Sequence, residues 1–475
     1  MRTYSEFLDA KTQDGTYEGF EPIELPDFLF GFQAHLVDWA MRKGKAAIFA
    51  DTGLGKTAMQ LVWADNVVRR TNGRVLILTP IAVGQQTERE GKKFDIPARV
   101  CRDGKLDDTG IHIANYERLH YFDPADFSGV VCDESAILKH FSGATQKSVT
   151  RFMTKAHYRL LCTATPAPND YPELGTSSEA LGNLGYSDML GRFFVMDDKK
   201  RYRMNDVKLA REAKTGNHYA RLAYRVSQQI GNYRMKPHAK EHFWRWVCSW
   251  ARACRMPSDL GFPDDGFILP PLDEHYHTVK AIKPPDDMLF TLPAFGRKEE
   301  LSERRRTVRE RCEMVANLVN HDEPAVVWCH LNDEGDLLAK IIKDSIEVKG
   351  AMSEDDKIAA YESFLDGSTR VLIIKPKIGA WGMNWQHCAH VATFVSHSWE
   401  QYYQSIRRCY RFGQKRNVRV DIVASEGEDR VRENMIRKNN AAKVMFQELV
   451  AYMNHAMHQH STMYDKPVEV PAWLS

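Results

Sequence analysis

Short apolar runs, separated by stretches with helical spacing, set the pattern of the chain. The first series is AAIFA (46–50), RVLILT (74–79), IHIAN (111–115), GVVCDE (129–134) and YRLLCTAT (158–165). Apolar on consecutive rather than alternate positions, these runs predict strands buried on both faces of a parallel sheet. A second series follows at AVVWCH (325–330), IEV (346–348), RVLIIK (370–375), HVATFV (390–395) and NVRVDIV (417–423). The alternation predicts an α/β protein of two lobes.

Residues 171–256 show no strand signal and are expected to form a helical insertion. The proline-rich stretch from Pro257 to Pro293 is expected to lead into the second lobe. The expected domains are therefore 1–170, a first nucleotide-binding lobe; 171–256, a basic helical insertion; 257–296, a connector; 297–456, the second lobe; and 457–475, a disordered tail. No internal repeat and no low-complexity run interrupts this order.

Composition narrows the class. The chain has 475 residues, 43% apolar and 27% charged, enough for two or three globular domains. No stretch approaches 18 uncharged apolar residues and the N-terminus is polar, which leads to an expectation of a cytoplasmic protein, or of host cytoplasm if phage-encoded. Nine scattered cysteines without a CxxC pair suit reduced thiols. His238, His242, Cys248 and Cys254 match no zinc spacing, and their stretch reads as a tryptophan-rich amphipathic helix. The net charge is only +2, but residues 199–245 carry 13 Lys or Arg against three acids, a surplus of +10 that leaves −8 for the remainder. Aromatic residues interleave that basic window, a composition suited to a nucleic-acid backbone.

The phosphate chemistry is in ADTGLGKTAMQ, which follows the first apolar strand and opens a helical pattern. Backbone N–H groups of Thr52, Gly53, Leu54 and Gly55 are placed to cradle phosphates. Lys56 is expected to reach the outer phosphates, and the Thr57 hydroxyl to sit on Mg²⁺. Ala50 stands where the general pattern has its first glycine. Asp133 and Glu134 end a later strand, on the sheet edge where such folds bind ligands. Asp133 is suited to holding Mg²⁺, and Glu134 to orienting and deprotonating a water. The stretch QSIRRCYRFGQ (404–414) adds three arginines in five residues. On a helix Arg408 and Arg411 share a face, but so do Arg407 and Arg411.

Taken together, FQAHLVDWA, DTGLGKT, ILTP, ANYERL, CDES, TATPAPND, GAWGMNWQ and QSIRRCYRFGQ resemble, in this order, the motifs of superfamily-two helicases of the Swi/Snf DNA-translocase type. The likeness runs from about residue 30 to 414 and is strongest to minimal, phage- or bacterium-like members. It implies two tandem RecA-like lobes with parallel sheets. It implies further that Gln33 reads adenine, so that the nucleotide is ATP, and that Arg408 and Arg411 are arginine fingers supplied by the second lobe. Arg407 is then left as a structural or DNA-facing residue. Gly382 and Gln404 would lie with the nucleotide. Thr79, Asn115, Lys139 and Asn384 would touch nucleic acid, Tyr116 would lie near the backbone or cleft, and Thr163–Pro166 would couple hydrolysis to lobe movement. Ser135 and Ala136 depart from the family's usual Ala and His, and Ala380 from a frequent glycine.

The resulting expectation is a DNA-dependent ATP hydrolase that uses ATP and Mg²⁺ to move along double-stranded DNA without sequence preference. Lys199, Lys200, Arg201 and Arg203 of the basic window are expected to touch the duplex backbone. The alternatives are a strand-separating DNA or RNA helicase, and a motor subunit with a protein partner in a larger DNA-processing complex.

Overall fold

The computed structural model describes residues 17–80, 83–139, 143–167, 170–196, 233–280, 297–379, 383–396 and 398–464. The first apolar series becomes β1 (Lys45–Ala50), β2 (Arg74–Thr79), β4 (Gly110–Asn115), β5 (Gly129–Asp133) and β6 (Tyr158–Cys162), joined by the short β3 (Ala98–Val100). An antiparallel ribbon of β7 (Phe194–Met196) and β8 (Tyr233–Met235) precedes β9 (Ala251–Cys254). The seven strands of the first sheet lie in the order β3-β4-β2-β5-β6-β1-β9, every pair parallel.

Successive side chains of a strand point to opposite faces, so a run of unbroken apolar residues feeds two cores at once. Ala47 and Phe49 of β1 enter one core, and Ala46, Ile48 and Ala50 the other. Helices Gly31–Lys43 and Lys56–Thr71 cover the second face through Leu36, Val37, Met59 and Val62. The first face is covered by helices that include Ala144–Met153, Leu174–Leu181 and Lys240–Cys248.

The second series forms a six-stranded parallel sheet, β10-β15-β14-β11-β13-β12, from β10 (Leu272–Val279), β11 (Ala325–Trp328), β12 (Ser345–Val348), β13 (Val371–Ile374), β14 (His390–Phe394) and β15 (Val418–Ser425). Two parallel sheets of this kind, each layered with helices, are the two RecA-like lobes that the sequence predicts.

Five strands lie where none was expected: the short β3, the ribbon of β7 and β8, and the edge strands β9 and β10. β9 is the second half of the tryptophan-rich stretch, whose first half alone is the helix Lys240–Cys248. Its residues, Ala-Arg-Ala-Cys, carry no β-branched signal. They are extended because the free edge of β1 offers a parallel ladder, Ala47 to Ala251 through Ala50 to Cys254. Residues 171–196 and 233–254 are thus part of the first lobe, with Phe193, Phe243, Trp244 and Trp246 in its core. β10 falls in the expected connector and pairs with all eight residues of β15. As an edge strand with mostly polar, exposed side chains, it has no apolar run to announce it.

The helix Asp429–Tyr464 also runs beyond the boundary expected at 456. It begins in the second lobe, where Val431, Met435 and Ala442 join the core. Its later turns cross to the first lobe. There Met445, Phe446, Leu449, Val450 and Met453 are buried beside Phe243 and Trp244, and Tyr452 stacks on Trp244 at 6.2 Å. Glu448 accepts from Lys240 at 2.6 Å and from the Tyr171 hydroxyl at 3.3 Å. At about 1.5 Å per residue the 36-residue helix is about 54 Å long, enough to span both lobes.

Candidate nucleotide site between the lobes

The loop between β1 and the helix Lys56–Thr71 has the geometry of a phosphate cradle. Gly53 and Gly55 hold φ values of 92° and 75°, a region that costs an L side chain strain. Close approach bars a side chain as well. A Cβ on Gly55 would stand 2.3 Å from Nε2 of Gln33, and one on Gly53 would stand 2.8 Å from the backbone nitrogen of Phe412 in the second lobe. Lys56 extends its Nζ across the loop mouth to the carbonyls of Ala50 at 2.9 Å and Asp51 at 3.2 Å. Gln33 is buried and braces the loop: its Nε2 donates to the Leu54 carbonyl at 2.9 Å and its Oε1 accepts from the Phe30 N–H at 3.0 Å. The enclosed Thr52 hydroxyl has no hydrogen-bond partner among the described residues, and Thr57 sits one residue into the helix. The residues present fit a nucleotide triphosphate with its metal.

The acid pair lies at the end of β5. Oδ1 of Asp133 accepts from Nε2 of Gln60 at 2.7 Å, and the Tyr116 hydroxyl donates to the Asp133 carbonyl at 2.5 Å. Burial, and then the neighbouring charge of Glu134, push the Asp133 carboxyl up to about 6, while the Gln60 hydrogen bond pulls it down. Glu134 occupies the left-handed region with φ of 51°, a conformation that few non-glycine residues hold. Its Oε2 accepts from the Thr163 hydroxyl at 3.3 Å, which joins the acid pair to the TATP stretch.

In a hydrolytic site Asp133 would have to be charged to hold a cation, and burial and the Glu134 charge raise its carboxyl, so kcat/KM is expected to fall on an acid limb as pH drops through about 6. Gln60→Leu removes the bond that favours the carboxylate and is expected to move this limb to higher pH. A rate profile from pH 5 to 8 on both proteins measures it; coincident limbs would sink the assignment.

The second lobe brings the arginines. Arg408 is buried; Nε donates to the Gln404 carbonyl at 3.0 Å, Nη2 to Gln404 Oε1 at 2.8 Å, and Nη1 to the Met383 carbonyl at 3.3 Å. Arg411 shares that carbonyl at 3.2 Å. Burial and then the Arg411 charge press the Arg408 guanidinium down to about 10, against the pull of Glu134 and Asp133 across the seam. Arg408 is therefore within electrostatic reach of the acid pair.

Several residues differ from expectation in their surroundings. Gln404 is fully enclosed and holds Arg408. Thr79 is also fully enclosed at the end of β2; Asn115 lines a small polar recess with Gly84, Gln85 and Arg102. Lys139 forms an ion pair with Glu400 of the second lobe. Asn384 lines a cleft of about 680 Å³ between the lobes, walled also by Tyr116, Glu134, Lys139 and Lys377. Gly382, Lys199, Lys200, Arg201 and Arg203 lie outside the described residues. Sequence reasoning missed Gln60, Asp51 and Tyr403, for which no local signal exists, and placed Arg407 only as structural or DNA-facing. Arg407 meets Asp51, with Nη2 at 2.8 Å from Oδ2, a contact across the lobes in keeping with a structural residue.

Residues 310–413, within the second lobe, match the family model of the helicase conserved C-terminal domain. A solved structure described as the Sulfolobus solfataricus SWI2/SNF2 ATPase core in complex with dsDNA is 17% identical, with a TM-score of 0.39, over 93% of this chain and 97% of that one. No curated protein sequence matches the chain.

Proposed function

We propose that the protein is an ATP-driven motor that moves along double-stranded DNA without reading its sequence. The observation that carries the ATPase part is the meeting of two half-sites: the loop with Lys56, beside Asp133 and Glu134, on one lobe, and on the other the Arg411–Phe412 backbone, so close to Gly53 that a Cβ there would stand 2.8 Å from the Phe412 nitrogen. Lys56 and the loop N–H groups would bind the β- and γ-phosphates of ATP. Thr57 and Asp133 would hold Mg²⁺, which supplies charge neutralisation on the phosphates. Glu134, held by Thr163, would orient the attacking water and accept its proton. Arg408 and Arg411 would stabilise the charge that develops on the transferred phosphoryl group.

Movement follows because the site is divided. Closing the lobes completes it and opening them dismantles it, so each turnover changes the distance between surfaces on the two lobes. The helicase-type second lobe and the order of the motifs support a nucleic-acid track, and the basic window from 199 to 245 supports a polyanion. Backbone contacts carry no sequence information, which makes binding nonspecific and steeply salt-dependent.

Translocation and strand separation are distinguished by one pair of substrates. The protein with ATP is expected to displace a triplex-forming third strand from duplex DNA and to leave a forked duplex largely intact. Efficient fork unwinding without triplex displacement would favour a strand-separating helicase instead.

A further inference from the structure

The residue just before the finger arginines is bound to the residue that begins the phosphate loop. Arg407 donates to Asp51 Oδ2 at 2.8 Å, and the Tyr403 hydroxyl donates to Asp51 Oδ1. Oδ1 also accepts from the Thr52 N–H at 2.6 Å. Both charged side chains are largely enclosed, at 15% and 14% exposure. The guanidinium lies between the Tyr403 and Tyr410 rings, 5.0 and 5.2 Å from their centroids. Tyr403 and Arg407 are four apart, so the end of the helix Trp399–Ile406 and the turn after it present both groups on one side. Asp51 comes from the other lobe. Its N–H bonds to the Cys254 carbonyl, which anchors it to the end of β9.

We propose that Asp51, Arg407 and Tyr403 form a bracket across the lobe seam that positions Arg408 and Arg411 over the phosphate loop, making Arg407 and Asp51 positioning residues for hydrolysis. This rests on the hydrolytic reading of the site. Two features of the seam support it. The Arg407 guanidinium is spent on Asp51 and two aromatic rings, so it is not a third finger. The fixed point it creates is one residue from Arg408 and two residues from Gly53, whose bare Cα admits the Arg411–Phe412 backbone.

An ion pair enclosed at a seam adds little net affinity, because desolvation offsets the attraction, but it disfavours any arrangement in which one charge is enclosed alone. Correct closure leaves both charges paired, and full opening returns both to water. A closure displaced along the seam leaves each unpaired. The bracket therefore selects the register of closure rather than its strength.

Removing one charge is expected to be worse than removing both. Asp51→Asn and Arg407→Met are each expected to lower kcat about tenfold or more with KM for ATP within about twofold, and the double variant to recover to within about threefold of the parent. Tyr403→Phe is expected to give a smaller loss, also confined to kcat. Should a charge variant fail to fold, Tyr403→Phe and Arg407→Lys, which keep the charges and weaken only the hydrogen bonds to Asp51, are each expected to lower kcat with KM unchanged, and an unaltered kcat in both would overturn the bracket. Spin labels on the two lobes give a readout independent of turnover: the single variants should broaden the interlobe distance distribution and the double variant narrow it again. Additive losses, unaffected single variants, a change in KM alone, or an unaltered distance distribution would each overturn the bracket. An inactive parent protein would instead refute the hydrolytic reading, and the distance measurement would still decide the bracket.

Discussion

Glu134→Gln is expected to bind ATP and DNA while hydrolysing almost nothing, and Lys56→Ala is expected to be equally inactive with weakened nucleotide binding. The glutamine keeps the size and the hydrogen bond to Thr163 but has no carboxylate to take the proton of the attacking water. Its left-handed backbone is set by the surrounding loop and is retained. Lys56 is different, because in the proposed site its ammonium would bind the ground state as well as the transition state, so its loss is expected in both binding and rate. Steady-state phosphate release with saturating duplex DNA and Mg²⁺, together with binding of a fluorescent ATP analogue, separates the two. Turnover by both variants at the parent rate would remove the motor reading altogether.

The second large effect is at the seam. Arg408→Ala and Arg411→Ala are each expected to reduce kcat by about 10³, roughly 4 kcal/mol of transition-state stabilisation, as a finger arginine typically provides. Duplex affinity should barely change, because both guanidinium groups are turned inward to the Met383 carbonyl. The two losses need not be equal. Arg408 has the acids Glu134 and Asp133 within reach, whereas the acid within reach of Arg411 is Glu90. Binding titrations over a range of salt concentrations provide the control. Weaker DNA binding with a shallower salt slope and an intact rate would make these arginines phosphate contacts.

How much could be read from sequence depends on whether a residue's role is local. The strands at 46–50, 74–79 and 371–374 were legible because burial on both faces demands unbroken apolar runs. The phosphate loop was legible because glycines with positive φ and a following helix are local requirements. Arg408 could be chosen over Arg407 only by resemblance, since helix geometry accepts either. The Asp51 contact was invisible, for it joins residues 356 positions apart. β9 and β10 were invisible for another reason: they are edge strands, and an edge is specified by the neighbour that offers it hydrogen bonds.

The helix Asp429–Tyr464 also orders the events of synthesis. The core of the first lobe is closed by Met445, Phe446, Leu449, Val450 and Met453, residues translated after every strand of both sheets. Until they emerge, the apolar surface they cover around Trp244, Phe243 and Trp246 has no other segment of this helix to shield it. The lobe that begins the chain is therefore among the last parts of the molecule to be completed. A ribosome that stalls within the second lobe releases a first lobe with an open aromatic groove, the kind of surface that chaperones retain and that drives aggregation.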